Sequence, residues 1–91
     1  MTISNRWSVD ILIDEHDDRR LTRADARLHT HHDTHLVGTG TARRNPDDRE
    51  VPEIGDEVAV ARALFDLGHQ LLEAAAADIE RVTHKSARLH E

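Results

Sequence analysis

Apolar and polar residues alternate along three stretches in the first half of the chain, residues 7–14, 22–29 and 35–42. A period of two is typical of a β-strand that buries one of its faces. Charged or histidine-rich segments separate the stretches, as expected for turns between antiparallel neighbours. The apolar side of the first stretch carries Trp7, Val9, Ile11 and Ile13. The pattern predicts a three-stranded antiparallel meander.

The second and third strands have small residues where a core usually has bulky ones. The positions expected to face inward carry Ala24, Ala26, Gly38, Gly40 and Ala42. Such positions in a sheet often mark the close approach of another element. We therefore expect something large to press on the sheet there.

The second half of the chain has helical periodicity. Apolar residues recur at i, i+3, i+4 and i+7 from about residue 56 to 84, which predicts one long amphipathic helix. Residues 43–55 are expected to form a loop because Pro46 and Pro52 disfavour regular structure, and residues 85–91 form a short tail. The helix face expected in the core or in a dimer contact carries Leu64, Phe65, Leu67, Leu71, Leu72, Ile79 and Val82.

These elements predict a single α+β domain over residues 1–91, with a three-stranded meander followed by the helix. A helix of about 28 residues spans roughly 40 Å, whereas strands of about seven residues span roughly 23 Å. One sheet cannot cover such a helix. We therefore expect a homodimer with two-fold symmetry, and a break in the helix near Gly68 is the alternative.

Composition narrows the classes of function. The chain has no cysteine and no apolar segment as long as a signal peptide or a membrane span, so we expect a cytoplasmic protein without membrane contact. A net charge of −6 opposes polyanion binding unless basic residues are segregated. One tryptophan and one phenylalanine cannot build the stacking platform of a single-strand nucleic-acid binder.

Motifs of catalysis are missing from the sequence. No serine lies in a nucleophile elbow. The segment Gly38-Thr39-Gly40 lacks the third glycine and the following helix of a dinucleotide fingerprint. We therefore expect no enzyme activity, no cofactor and no small-molecule substrate.

Histidines cluster between the second and third strands. His29, His31 and His35, together with Asp33, could offer nitrogen and oxygen ligands to zinc or nickel. Side chains at a hairpin turn can also point apart into water. A solvated, pH-sensitive turn is therefore the other interpretation.

Four arginines could form a basic stripe for phosphate groups. Arg23 and Arg27 belong to the outer face of the second strand, and Arg43 and Arg44 follow the third. Aspartates interleave with them, so cross-strand pairing between arginine and aspartate is the alternative interpretation.

Residues 9–16, 36–40 and 51–57 are among several segments, spread along nearly the whole chain, that form a recognisable set. Together they resemble a family of small actinobacterial proteins of uncharacterised function. The resemblance implies a fold like that of double-stranded-RNA-binding domains, a dimer, and an association with hypoxia or dormancy. It further implies a shape similar to ribosome hibernation factors, and hence a stress protein that silences translation on the ribosome. No catalytic residues carry over from the family.

Three hypotheses follow for the function. The first is ribosome docking through ribosomal RNA, with arginines 23, 27, 43 and 44 as phosphate contacts. The second is a protein-interaction or structural module that does not touch nucleic acid. The third is metal binding by the histidine cluster.

Overall fold

The computed structural model describes residues 1–32, 35–47, 49, 51–84 and 87–89. Its elements are the strands β1 (Ser8–His16), β2 (Leu21–His29) and β3 (Val37–Arg43), followed by the helix α1 (Pro52–Thr83). A short 3₁₀ turn, Asp17–Arg19, joins β1 to β2. The strands pair antiparallel in the order β1-β2-β3. The structure confirms the predicted α+β fold of a meander followed by one long helix.

Helix α1 differs from its prediction at the start and in its continuity. It begins at Pro52 rather than near residue 56, which shortens the predicted loop 43–55. Proline fits the first position of a helix because the N–H group it lacks would have no partner there. The helix continues through Gly68 without interruption, so the alternative of a break at that glycine is excluded.

The strands also extend beyond the predicted limits in places. β1 continues through the charged segment to His16, which pairs with Leu21 of β2, whereas a turn was expected from Glu15. β3 runs from Val37 to Arg43 instead of 35–42. Charged side chains do not end β1 early because every residue of this strand is exposed, so the strand need not bury them.

The core between sheet and helix is thin. In the register of β2 and β3, Ala24 lies opposite Gly40 and Ala26 opposite Gly38, and all four residues are buried. The buried apolar residues of the described chain are Ala24, Ala26, Leu28, Ala42, Ala59, Ala63 and Leu67. Since five of these seven are alanines, little apolar surface is removed from water.

The backbone of α1 lies directly on β3. A Cβ atom added to Gly38 would overlap the carbonyl oxygen of Ala63 and the backbone nitrogen of Leu67. A Cβ atom on Gly40 would overlap the carbonyl oxygen of Ala59 and the nitrogen of Ala63. The predicted close approach is therefore present, but the helix main chain makes it rather than bulky side chains.

This close approach selects a narrow buried stripe on α1, formed by Ala59, Ala63 and Leu67. Of the seven positions predicted for the core or a dimer contact, only Leu67 is buried, and Leu71 and Leu72 are half-buried. The other four are exposed and do not belong to the core: Leu64, Phe65, Ile79 and Val82. Leu64 and Phe65 lie on sides of the helix that the sheet does not reach, and Ile79 and Val82 lie beyond Gln70, which contacts the first residue of β3. Within the described ranges no helix is both long and apolar enough to cross a membrane.

Polar side chains of α1 bind the outer edge of β3. The contacts are Arg62 Nη1 to the Thr41 carbonyl oxygen at 2.7 Å, the Thr39 N–H to Asp66 Oδ2 at 2.8 Å, and Gln70 Nε2 to the Val37 carbonyl oxygen at 2.8 Å. Four residues of helix advance about 6 Å and two residues of strand about 7 Å, so the two series stay in step. The helix therefore covers an edge that could otherwise pair with another strand.

We predict that Gly38→Ala lowers the free energy of unfolding by about 3 kcal/mol, because the added methyl group meets helix backbone that cannot rotate away. Gly68→Ala is the matched control, since a Cβ atom there has nothing within 4 Å. This second change should raise stability by roughly 1 kcal/mol, the helix propensity difference. Urea unfolding measures both, and equal stability of Gly38→Ala and the unchanged protein would contradict the close contact.

We predict that Asp66→Ala speeds hydrogen exchange at the Thr39 amide and costs about 1 kcal/mol of stability, because the amide loses a charged acceptor. Glu73→Ala is the control, since its carboxylate lies on the same helix and pairs with His69 rather than with the sheet. NMR-detected exchange compares the two variants. Unchanged protection at Thr39 in Asp66→Ala would show that the bond does not hold the edge.

Candidate binding surfaces

Strand β1 carries an apolar strip that the helix leaves uncovered. Val9, Ile11 and Ile13 lie opposite buried residues of β2 and therefore point to the helix side of the sheet. Helix α1, however, packs over β2 and β3 and barely touches β1. The three residues are 39%, 41% and 37% exposed. We call them the β1 strip.

The same three residues border an open hydrogen-bonding edge. Thr39 and Thr41 direct backbone groups outward to α1, so the residues between them bond to β2. Following the alternation of an antiparallel ladder across the sheet, the backbone groups of the β1 strip point away from β2. No described residue of the chain forms a hydrogen bond with them.

The exposed surface is large for a chain of this size. A folded monomer of 10.3 kDa is expected to expose about 5,400 Å², whereas this chain exposes 7470 Å². A stable protein interface removes about 800 Å² from each partner. The excess is larger than this area, and it includes residues 1–7, which lie outside the sheet and the helix, as well as the β1 strip.

The four arginines that the sequence suggested as phosphate contacts lie in two different regions of the structure. Arg23 and Arg27 are exposed on the face of the sheet opposite α1, where Arg23 Nε pairs with Asp25 Oδ1 at 3.2 Å. Arg27 lies opposite Asp10 of β1. These two arginines therefore share their face with aspartates, but the described ion pair of Arg23 lies within β2 rather than between strands.

Arg43 and Arg44 lie elsewhere, in the wall of a cavity at the end of the sheet. Arg20, Arg49 and Arg62 line the same cavity, and none of these three was predicted as a site residue. The position of Arg20 could have been predicted from the meander, because an antiparallel hairpin places the start of β2 beside the end of β3. Arg49 has no such signal, since its position depends on the loop before α1.

The histidines are not gathered around a common point in the described residues. His29 Nε2 contacts Asp10 Oδ2 at 2.8 Å, and His31 and His35 are exposed. Among the residues that the structure describes, no three histidine or acidic side chains could hold one metal ion. Asp33, the fourth ligand considered, lies outside the described residues.

Comparison with known proteins establishes the family. The family model described as Rv2632c-like matches residues 5–88. The chain belongs to the Rv2632c-like family. It is 58% identical over 87 residues to the uncharacterised protein MT1780 of Mycobacterium tuberculosis strain CDC 1551, a match covering 96% of this chain and 89% of that protein. It is 51% identical over 83 residues to the uncharacterised protein Rv2632c of strain H37Rv, covering 91% and 86%.

A solved structure of this Rv2632c-like family has the same fold. The crystal structure of Rv2632c superimposes with a TM-score of 0.82 at 45% sequence identity, covering 92% of this chain and 96% of that one. The resemblance to a family of uncharacterised proteins is thereby confirmed. Because these relatives are themselves described as uncharacterised, the family establishes the fold, and the surfaces must supply the function.

Proposed function

We propose that this chain is a homodimeric interaction module without catalytic activity, and that two β1 strands pair with each other. The proposal rests on one observation, that β1 has both an open backbone edge and an uncovered apolar strip. A second copy supplies both an edge to pair with and an apolar strip to lie beside. The opposite edge is unsuitable, because α1 side chains already bind β3.

Charge selects the register of such a pair. Outward-facing residues must pair with each other, so the two-fold axis passes through a residue of β1. The two central candidates are Ile11, the middle of the β1 strip, and Leu12, the middle of the whole strand. Full alignment places Asp10 opposite Asp14 of the other copy, which is repulsive. An axis at Ile11 instead places Asp10 opposite Leu12 and Val9 opposite Ile13. The proposed dimer therefore has a six-stranded sheet centred on Ile11.

The proposed pair has a defined shape. Both helices lie on one face of the six-stranded sheet, and the two β1 strips form the floor between them. The opposite face mixes charges along the strands, with Arg23 and Arg27 among Asp10, Asp14 and Asp25. Such a mixed face, without an excess of positive charge, favours recognition of protein over recognition of a polyanion.

We predict that the chain sediments as a dimer at micromolar concentration and that Ile11→Asp raises the dimer dissociation constant by at least about 100-fold, because it brings two unpaired carboxylates together at the axis. Phe65→Asp is the matched control. It makes the same kind of change at an exposed apolar residue of α1, on the side of the helix away from the sheet. Sedimentation equilibrium with circular dichroism to verify folding compares all three proteins.

Monomeric behaviour of the unchanged chain would overturn the proposal, and so would a monomeric Phe65→Asp beside a dimeric Ile11→Asp. The chain lacks cysteine, so single cysteines report the register directly. Directly opposed residues in an antiparallel pair lie about 5.5 Å apart at Cα, within disulfide reach. Ile11→Cys should therefore cross-link on oxidation, whereas Leu12→Cys should not.

Translation silencing on the ribosome, which the family resemblance implied, is the second candidate function. The concentration of arginines at one end of the sheet, including Arg43 and Arg44, is the observation that favours it. If it is correct, the protein should pellet with bacterial ribosomes at low salt and dissociate steeply as salt rises, because phosphate contacts release counterions. Absence from the ribosomal pellet at low salt would exclude this role and leave the dimer proposal intact.

A further inference from the structure

A cavity of about 340 Å³ opens where the turn after β1, the end of β3 and the start of α1 meet. This volume lies in the range of sites that hold small organic ligands. The basic residues in its wall are Arg20, Arg43, Arg44, Arg49 and Arg62, and the described acidic ones are Glu15 and Asp17. A chain with a net charge of −6 thus places five of its 12 basic residues around one cavity.

Three of these arginines have no carboxylate partner among the residues that the structure describes. Arg62 already donates to the Thr41 carbonyl oxygen. For Arg20, Arg43 and Arg49, by contrast, no carboxylate in the described part of the chain lies within salt-bridge distance. Neighbouring guanidinium groups repel one another, and an anion between them would replace repulsion by charge-assisted hydrogen bonds.

The backbone at Arg20 has an unfavourable conformation that places this residue at the cavity. Its φ of 51° lies in the left-handed region, which favours glycine and disfavours a residue with a side chain. The Arg20 carbonyl oxygen accepts a hydrogen bond from the Arg44 N–H at 2.9 Å, so the β1–β2 turn is tied to the end of β3. Strain of this kind is often retained where a side chain has a functional position.

Apart from His16 and Thr22, the remaining wall of the cavity is apolar. Val51 and Ile54, at the start of α1, line it and are exposed. Val51 precedes the first turn of the helix, where Glu53 offsets the positive end of the helix dipole, so the positive charge of the cavity comes from the arginines. The cavity therefore combines an anion-binding side with an apolar side.

We propose that this cavity binds a small phosphate ester. The guanidinium groups of Arg20, Arg43 and Arg49 hold the phosphate, whose oxygens match the planar fork of arginine. The organic group of the ester covers Val51 and Ile54. All of these groups belong to one chain, so the site does not depend on the proposed dimer, and its test is independent of sedimentation.

Isothermal titration calorimetry of the full chain tests the proposal with inorganic phosphate, phenyl phosphate and adenosine diphosphate. Phenyl phosphate should bind about tenfold more tightly than inorganic phosphate, because its ring removes apolar surface from water. Arg43→Gln should weaken phenyl phosphate binding by about tenfold. Arg27→Gln, an equivalent change on the outer face of the sheet, should leave binding unchanged.

Arg20→Gly separates a binding role from a structural one. Glycine relieves the left-handed strain, so the midpoint of thermal unfolding should rise while phenyl phosphate binding falls by about tenfold. A fall in the midpoint together with unchanged binding would show that Arg20 serves the turn alone and would overturn its assignment to the site.

Three further results would overturn the proposal. The first is the absence of heat with every probe at millimolar concentration. The second is equal weakening by Arg27→Gln and Arg43→Gln, which would indicate unspecific charge attraction. The third is binding of an RNA oligonucleotide without binding of phenyl phosphate or adenosine diphosphate, since the cavity would then belong to a nucleic-acid surface.

Discussion

The contact between the backbone of α1 and the backbone of β3 determines most of this structure. Gly38 and Gly40 have no side chains, and Ala59 and Ala63 have minimal ones, so the two main chains meet without an intervening layer. A usual helix-on-sheet core is instead filled by interdigitating side chains. Here the glycines set the distance, and the alanines set which face of the helix turns inward.

The position of α1 makes the two edges of the sheet unequal. A helix drawn onto β3 brings Arg62, Asp66 and Gln70 within reach of the β3 edge and leaves β1 beyond its other flank. The close contact also limits how much apolar surface the chain buries by itself. The alanine core, the open edge of β1 and the uncovered β1 strip therefore have one cause. A second copy of the chain paired at β1 would cover the edge and bury further apolar surface.

The same arrangement explains how an acidic protein presents a basic cavity. The cavity wall comes from the turn after β1, the end of β3 and the first turn of α1, and the meander and the helix contact bring these segments together. Arginines that are scattered in sequence thus become neighbours. Arg23 and Arg27 of β2, by contrast, share their face with aspartates such as Asp25 and create no such field. Net charge alone is a poor guide when opposite charges are segregated in space.

The amino-acid sequence by itself determined the three strands, the long helix and the small-residue faces of β2 and β3, because alternation and helical periodicity are consequences of local backbone geometry. Tertiary structure alone decided that Ala59 and Ala63 rather than Leu64 and Phe65 face the sheet, that Pro52 opens the helix, and which arginines meet. These outcomes depend on how closely two main chains approach and on which distant segments become neighbours. Neither can be predicted from the local periodicity of the sequence.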